Sequence, residues 1–412
     1  MIDYFKNRFS FINSNSFIFS SLKHSSNSHN LKLTKNYFKK EILNTYKGDI
    51  FFYGGARMGI FLIMKYLNLK KNDEVLVTAF TCSVVVNSIK KFGSKPVYVD
   101  IDPITLGTCP TDTKRKITSK TKLIIAQHSF GIPCEINKIK TFAKKKKIFL
   151  LEDCSISVCS SINKKYIGTF GDASIFSFDH TKPINCFVGG ALYVKNKKII
   201  SFLQNEDIKI KKIPNKKIKK MTQRFNLENS YCNFSNYKKF LFFDKIFNLI
   251  NKFDVSPYLD EDLDPFGKKN ISYPYPSKIP NFALNCLIKS IKNLKFKQNH
   301  NSLKLKKIIK FFNKKKFNGV EHYKKNKNKD IKPFRFVWLD INNKINYKNL
   351  SKYININEIW YKEPIINLTE NISLYNYKNN CINSQKSCEK IINLPNSIPI
   401  NKINLILKDI YE

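Results

Sequence analysis

Gly171-Asp-Ala-Ser-Ile-Phe-Ser-Phe-Asp-His-Thr-Lys182 is the stretch on which the reading of this chain turns. Its first half alternates small and apolar side chains, as a strand packed on a core does, and its second half is a polar turn that ends in one lysine. Ligands of α/β sheets bind at the carboxyl ends of strands, so Lys182 stands where a catalytic group would be needed. Taken alone it reads first as a surface lysine, because 73 of the 412 residues are Lys or Arg. Two further segments make it a candidate for covalent catalysis through a Schiff base.

The first is Phe149-Leu-Leu-Glu-Asp153, an apolar strand that terminates in two acids. A carboxylate at the end of a buried strand needs a cationic partner, because an unpaired buried charge is costly. The protonated ring nitrogen of pyridoxal 5'-phosphate (PLP) is such a partner, and Asp153 is assigned to it. The plainer alternative is an acid that caps the following helix or bonds to loop amides. The second is Phe52-Tyr-Gly54-Gly55-Ala56-Arg57-Met58-Gly59, just before an apolar helical stretch. Small residues at a helix start expose backbone N–H groups to which a phosphate can bind, although a simple turn has the same composition. Ser177, five residues before Lys182, adds a hydroxyl donor for the same anion.

Around these segments the pattern is that of alternating strands and helices, which predicts an α/β domain with a largely parallel sheet. Strands are expected at Glu74–Thr78, Pro96–Ile101, Lys122–Ala126, Ile148–Glu152, Ala173–Phe178 and Ala191–Val194. Helices are expected near Met58–Leu67, Ser83–Phe92 and Ile136–Lys146. Residues 200–275 are rich in lysine and aromatics without a readable period, and Pro257, Pro265, Pro274, Pro276 and Pro280 suggest a connection between domains. A long helix from about Phe282 to Phe312 and a strand at Arg335–Asp340 then suggest a small α+β domain. The expected division is a tail at 1–35, a large domain at 36–255 and a small domain at 256–412.

The formal charge of +42 would ordinarily point to a polyanion. Here lysine is abundant together with Asn, Ile, Phe and Tyr, the set that AT-rich codons supply, and it is scattered along the chain. No specific nucleic-acid partner is therefore expected. The 10 cysteines form no CxxC pair, which argues against a zinc site or a disulfide scaffold and for reduced thiols. No apolar run is long enough to span a membrane, since Leu241–Ile250 is broken by Asp244, Lys245 and Asn248. The N-terminus lacks the order of a signal peptide, so a cytoplasmic protein with no membrane partner is expected.

The order of these segments resembles the DegT/DnrJ/StrS family of PLP-dependent sugar aminotransferases, well over about residues 40–200 and loosely beyond. Ser177-Phe-Asp-His-Thr-Lys182 is similar to the family's serine and Schiff-base lysine, and Glu152-Asp153 to its acidic pair. Gly171-Asp172-Ala173, Gly189-Gly190-Ala191, His128-Ser-Phe-Gly131, Pro133 and Asn393-Leu394-Pro395 also match. Ala56-Arg57-Met58 resembles the phosphate-binding helix start, and Asp73-Glu74-Val75 with Ala79-Phe80-Thr81-Cys82 resembles the strand and turn that set a side chain against the cofactor ring. The resemblance departs at three positions: Cys82 stands where many members carry an aromatic ring, Ile156 where many have Gln or His, and Val188 where Glu is frequent.

The resemblance implies PLP-dependent transferase fold type I, aspartate-aminotransferase-like, with a large α/β/α domain and a smaller α+β C-terminal domain. It implies Lys182 and Asp153 as catalytic residues, and Gly55, Ala56, Arg57, Cys82, Asp153, Ser177 and Lys182 as binding the cofactor. The implied reaction moves an amino group from an amino acid, glutamate first, to a keto sugar carried on a nucleotide. The implied assembly is a homodimer with its active sites between subunits, where Asn185 and Arg224 are candidates for reaching a neighbouring site or the substrate. A PLP-fold carrier or regulatory protein that does not transaminate is the competing reading. Retention of both Lys182 and Asp153 speaks against it.

Overall fold

The computed structural model describes residues 28–231, 237–250, 258–259, 271–324, 328–368 and 372–412. Pro257, Pro265 and most of the segment read as an N-terminal tail lie outside these residues. Within that segment, helix α1 (Ser28–Leu43) already begins at Ser28. Its Phe38 is fully buried and packs edge-on against Phe176, ring centroids 5.2 Å apart, in the core of the sheet. Burial of such a ring stabilises by about 1.5–3 kcal/mol, which fastens α1 to the domain.

Seven strands form the central sheet: β1 (Asp49–Tyr53), β2 (Glu74–Thr78), β4 (Lys95–Val99), β5 (Thr121–Gln127), β6 (Phe149–Asp153), β9 (Ala173–Ser177) and β10 (Gly190–Val194). Between β2 and β4 lies the two-residue β3 (Thr81–Cys82), and between β6 and β9 lie the short β7 (Ser161–Ile162) and β8 (Lys165–Tyr166). The order across the sheet is β1-β10-β9-β6-β5-β2-β4, and β10 alone runs against the rest. The inner strands are apolar and buried along their length, as parallel strands covered on both faces must be. The expected strands and helices are therefore present with ends shifted by a few residues. Strand β1 was not expected as such. Its run Asp-Ile-Phe-Phe-Tyr is too short to show a period, and its pairing partner β10 lies far along the chain.

The connecting helices of the first half are α2 (Ala56–Tyr66), α3 (Ser83–Phe92), α4 (Pro110–Lys116) and α5 (Ile136–Lys146). Helix α3 stops at Gly93, whose φ of 92° is the left-handed conformation that a Cβ disfavours. Among its described residues, the stretch with no readable period holds three helices, α6 (Lys197–Lys209), α7 (Asn215–Tyr231) and α8 (Tyr237–Ile250). In α7 the spacing of Ile218, Met221 and Phe225 is helical, but the lysines between them blur the stripe.

Helix α9 (Asn281–Lys315) joins two cores. Its first half, with Cys286, Leu287 and Ile291, packs into the core of the central sheet. Its second half, with Leu305, Ile308 and Phe312, packs into a second core. That core is built on the antiparallel pair β12 (Phe336–Leu339) and β14 (Ile391–Leu394) and on the last helix, Ile403–Tyr411. Two smaller pairings stitch the lobes together: β11 (Lys329–Asp330) joins β7, and β13 (Ile365–Ile366) runs parallel to β3. Among the described residues no helix is long and apolar enough to cross a membrane.

Candidate active site

The carboxyl ends of β6 and β9 lie side by side, and each ends in polar residues. Asp153 closes β6; it is buried, and its Oδ1 accepts the Ser155 amide at 2.9 Å. Ser177 closes β9, and the turn after it is fixed by Lys182 N donating to Asp179 O at 3.0 Å. The turn is tightened by Asp179 Oδ1, which accepts both the amide of Thr181 at 3.1 Å and its hydroxyl at 3.0 Å. Lys182 is half-buried, with Nζ 4.5 Å from the centroid of the Trp360 ring.

The start of α2 faces the same place. Gly55 precedes it in extended conformation and, having no side chain, places no cap on its first amides. No acidic residue occupies its first turn, so the positive end of the helix dipole is uncompensated there. This close approach depends on a second glycine. A Cβ on Gly190 would stand 2.3 Å from Ala56 N, so only glycine lets β10 pass the helix start.

A cavity of about 830 Å³ opens over these elements, bordered by Gly55, Arg57, Cys82, Ser177 and Lys182. A smaller recess shares Arg57, Cys82, Ser177 and Lys182 with it and adds Ala56 and Asp153. All seven residues expected to hold the cofactor thus border one connected region. Ile156 borders the recess and Val188 the larger cavity, so these two departures from the family pattern line the region as apolar groups, beside the third, Cys82. The chemistry on offer is an amine, a buried carboxylate, and a helix start of the kind that suits an anion, with an arginine and a hydroxyl beside it.

Glu152, next to Asp153, is wholly buried and has a different task. Its carboxylate accepts the amides of Gly168, Phe170 and Gly171 at 2.8, 2.7 and 2.6 Å, and lies 3.1 Å from His128 Nε2. Burial pushes its pKa up, but the His128 hydrogen bond and the amides outweigh it and hold the carboxyl below the ordinary glutamate range. The Cys134 amide donates to His128 Nδ1 at 3.1 Å, which leaves Nε2–H to donate to Glu152. His128, Glu152 and Cys154 bring ligand atoms within 4.8 Å of one another, but both ring nitrogens of His128 are already engaged. The group anchors the loop before β9 rather than offering itself to a metal.

On the other side of the turn, His180 Nδ1 lies 3.2 Å from Glu228 Oε2, and Glu228 also accepts Arg224 Nε at 3.0 Å and the Tyr258 hydroxyl at 3.2 Å. Burial would lower the pKa of His180, but Glu228 and then Asp179 raise it to about 9. Arg224 also pairs with Asp244, so its guanidinium is engaged in tying α7 to α8. Asn185 is buried, with Oδ1 accepting the Phe187 amide at 2.7 Å. Neither residue borders the cavity.

Sequence reasoning missed the C-terminal wall. Arg335, Trp360 and Tyr361 border the larger cavity, with the Arg335 guanidinium 3.5 Å from the Trp360 ring centroid. No local motif announces them; Trp360 and Tyr361 lie just before β13, which pairs with β3, and Arg335 directly precedes β12.

Comparison with known proteins agrees with this geometry. Residues 54–232 match the sequence profile described as the DegT/DnrJ/EryC1/StrS aminotransferase family. The GDP-perosamine synthase of Escherichia coli O157:H7 is 38% identical over 140 residues, which cover 34% of this chain and 38% of that protein. The match thus spans well under half the length of this curated relative. An aminotransferase of the same family from Brucella abortus superposes with a TM-score of 0.65 at 14% identity, over 92% of this chain and 89% of that one. The putative sugar aminotransferase Spr1654 of Streptococcus pneumoniae, in its PLP form, superposes with a TM-score of 0.63 at 17% identity, over 92% and 89%. These likenesses show the fold over nearly the whole chain. Over residues 54–232, the stretch that holds β6, β9 and the start of α2, the chain is similar to the DegT/DnrJ/EryC1/StrS aminotransferase family.

Proposed function

We propose that this protein is a PLP-dependent aminotransferase that passes an amino group from an amino acid, glutamate first, to a keto sugar carried on a nucleotide. The observation that carries the proposal is one connected region bordered by Lys182, Asp153 and the start of α2. These groups suit PLP: an amine for its aldehyde, a buried acid for its ring nitrogen, and an anion site for its phosphate. When bound, PLP supplies an aldehyde that takes up amines and a ring that accepts electron density.

The chain's own residues then have distinct tasks. Lys182 Nζ would hold the cofactor's aldehyde carbon and would serve as the acid and base that moves a proton at the donor's Cα. Asp153 holds the proton on the ring nitrogen. The amides of the α2 start, the Ser177 hydroxyl and Arg57 bind the phosphate. Donor and acceptor would need the same Lys182 and the same recess, so the oxo acid must leave before the keto sugar enters and ping-pong kinetics are expected. Cys82 and Ile156 border the recess without adding charge.

We further propose a cytoplasmic homodimer. The outward row of Phe242, Ile246, Leu249 and Ile250 on α8 supports it, being the kind of exposed apolar surface that subunits bury. The scattered lysines support no sequence-selective nucleic-acid binding. The test is to load the protein with PLP, reduce with borohydride and map the labelled peptide, then supply glutamate and a panel of nucleotide-linked keto sugars and weigh the products. Label on Lys182 and a product carrying an amino group are expected. Label on another lysine, or no reaction with any donor, overturns the proposal.

A further inference from the structure

The segment Ile356-Asn-Glu-Ile-Trp-Tyr-Lys-Glu-Pro-Ile-Ile-Asn367 belongs by sequence to the C-terminal lobe, yet it runs along the cavity of the central sheet. It is tied there at its end. Ile365 and Ile366 of β13 stand beside Thr81 and Cys82 of β3, Thr81 N donates to Pro364 O at 3.0 Å, and the Ser83 hydroxyl donates to Asn367 O.

Tyr361, just upstream of this tie, has a φ of 63°. The left-handed region is unfavourable for a bulky side chain, so the surroundings must impose it, and such strain gathers at functional sites. The surroundings are visible. The Tyr361 ring is stacked on Phe80, centroids 4.4 Å apart at 29°, and meets Phe130 edge-on at 5.6 Å. Only 3% of the residue is exposed, yet it borders both the recess that holds Asp153 and Lys182 and the larger cavity. A ring held from behind by another ring, in a strained backbone, at the edge of a recess, is a rigid flat wall.

We infer that Tyr361 is a cofactor-contact residue, the aromatic wall on which the pyridine ring of PLP packs, delivered to the site by the C-terminal lobe. This rests on the PLP reading above. The recess is otherwise bordered near Asp153 by side chains without a ring, Cys82, Ile156 and Ile175 among them. A planar heteroaromatic ring gains from an aromatic partner beyond the area it buries.

The test uses pyridoxamine 5'-phosphate, which has no aldehyde to react with Lys182, so that its equilibrium binding to the cofactor-free protein reports contacts alone. Tyr361→Phe is expected to bind within about twofold of wild type, and Tyr361→Leu about tenfold more weakly, the size of an aromatic contact. Wild-type affinity in a folded Tyr361→Leu protein overturns the inference, and so does an equal loss in Tyr361→Phe. A second measurement needs no variant: amide exchange in the peptide 355–368 of the wild type should slow on adding pyridoxamine 5'-phosphate, and unchanged exchange at saturation overturns the inference. A wild type that binds neither pyridoxamine 5'-phosphate nor PLP overturns the PLP reading itself, an outcome distinct from the others.

Discussion

Glu152 and Asp153 are consecutive residues of β6 whose carboxylates have opposite surroundings: Glu152 is closed in by three amides and His128, and Asp153 borders the recess with Lys182. Strand alternation sends neighbours to opposite faces, so a Glu-Asp pair at a strand end can anchor the scaffold with one acid and serve a ligand with the other.

The ligand-facing role predicts that Asp153→Asn keeps the protein folded and able to bind PLP at Lys182. The neutral amide no longer favours a proton on the ring nitrogen, so the step that removes the donor's Cα proton loses stabilisation. The half-reaction with glutamate, followed by absorbance, should slow by at least about tenfold, equivalent to about 1.4 kcal/mol. A wild-type rate would remove Asp153 from the ring nitrogen.

Glu152→Gln should instead destabilise the fold. An amide cannot accept from all four donors, and each buried group left unsatisfied costs about 1–3 kcal/mol. Because the folded pKa of Glu152 lies below its ordinary value of 4.5, its contribution is present above that value and is lost as pH falls through the folded pKa. Urea unfolding at pH 7 and pH 4 should therefore show the variant's deficit shrinking with acid. A deficit that grows with acid would contradict the assignment.

His180 works in the other direction. Its pKa is raised to about 9 by Glu228 and Asp179 against the effect of burial and of Arg224 nearby. A raised folded pKa gives stability that is fully present below the ordinary histidine value of 6.5 and is lost as pH rises through about 9. Glu228→Gln removes the stronger of the two acidic partners, so thermal melts of wild type and variant should differ more at pH 6 than at pH 10, where only the bonds of Glu228 to Arg224 and Tyr258 still separate them. A constant difference across that range would mean that His180 is not the titrating group.

Much of this site could be read from local sequence because β6, β9 and the start of α2 each carry their own signature. Buried strands of five residues end abruptly in Asp153 and Ser177, and two glycines precede an apolar helix at Ala56. What could not be read was set by contacts between distant segments. Trp360 and Tyr361 stand in a stretch with no strand or helix period, and the β13–β3 pairing together with contacts to Phe80, Phe130, Arg335 and Asn393 brings them to Lys182. Likewise the passage from one core to the other lies inside α9, between Leu294 and Leu305, where a continuous helical pattern hides the change of neighbours. Arg224 shows the converse: a cation at a plausible place in the chain is taken up by Glu228 and Asp244.

Gly190 offers the sharpest test of how the anion site is built. A Cβ there would lie 2.3 Å from Ala56 N and 2.6 Å from Ala56 Cα, both backbone atoms with no rotamer to yield. Gly190→Ala must therefore push the start of α2 away from β10, and small-to-large changes of this kind cost about 1–3 kcal/mol of stability. Stability alone would not identify an anion site, so the informative quantity is a ratio. PLP and pyridoxal share the ring and the aldehyde and differ only in the phosphate, so the ratio of their affinities isolates the contribution of the α2 amides, Ser177 and Arg57. In wild type PLP should bind far more tightly than pyridoxal, and in folded Gly190→Ala the advantage should shrink by about tenfold or more, the loss of one or two hydrogen bonds to a charged group. If the variant folds and keeps the wild-type ratio, the phosphate does not sit at the start of α2, and the anion site must be sought elsewhere on the cavity wall.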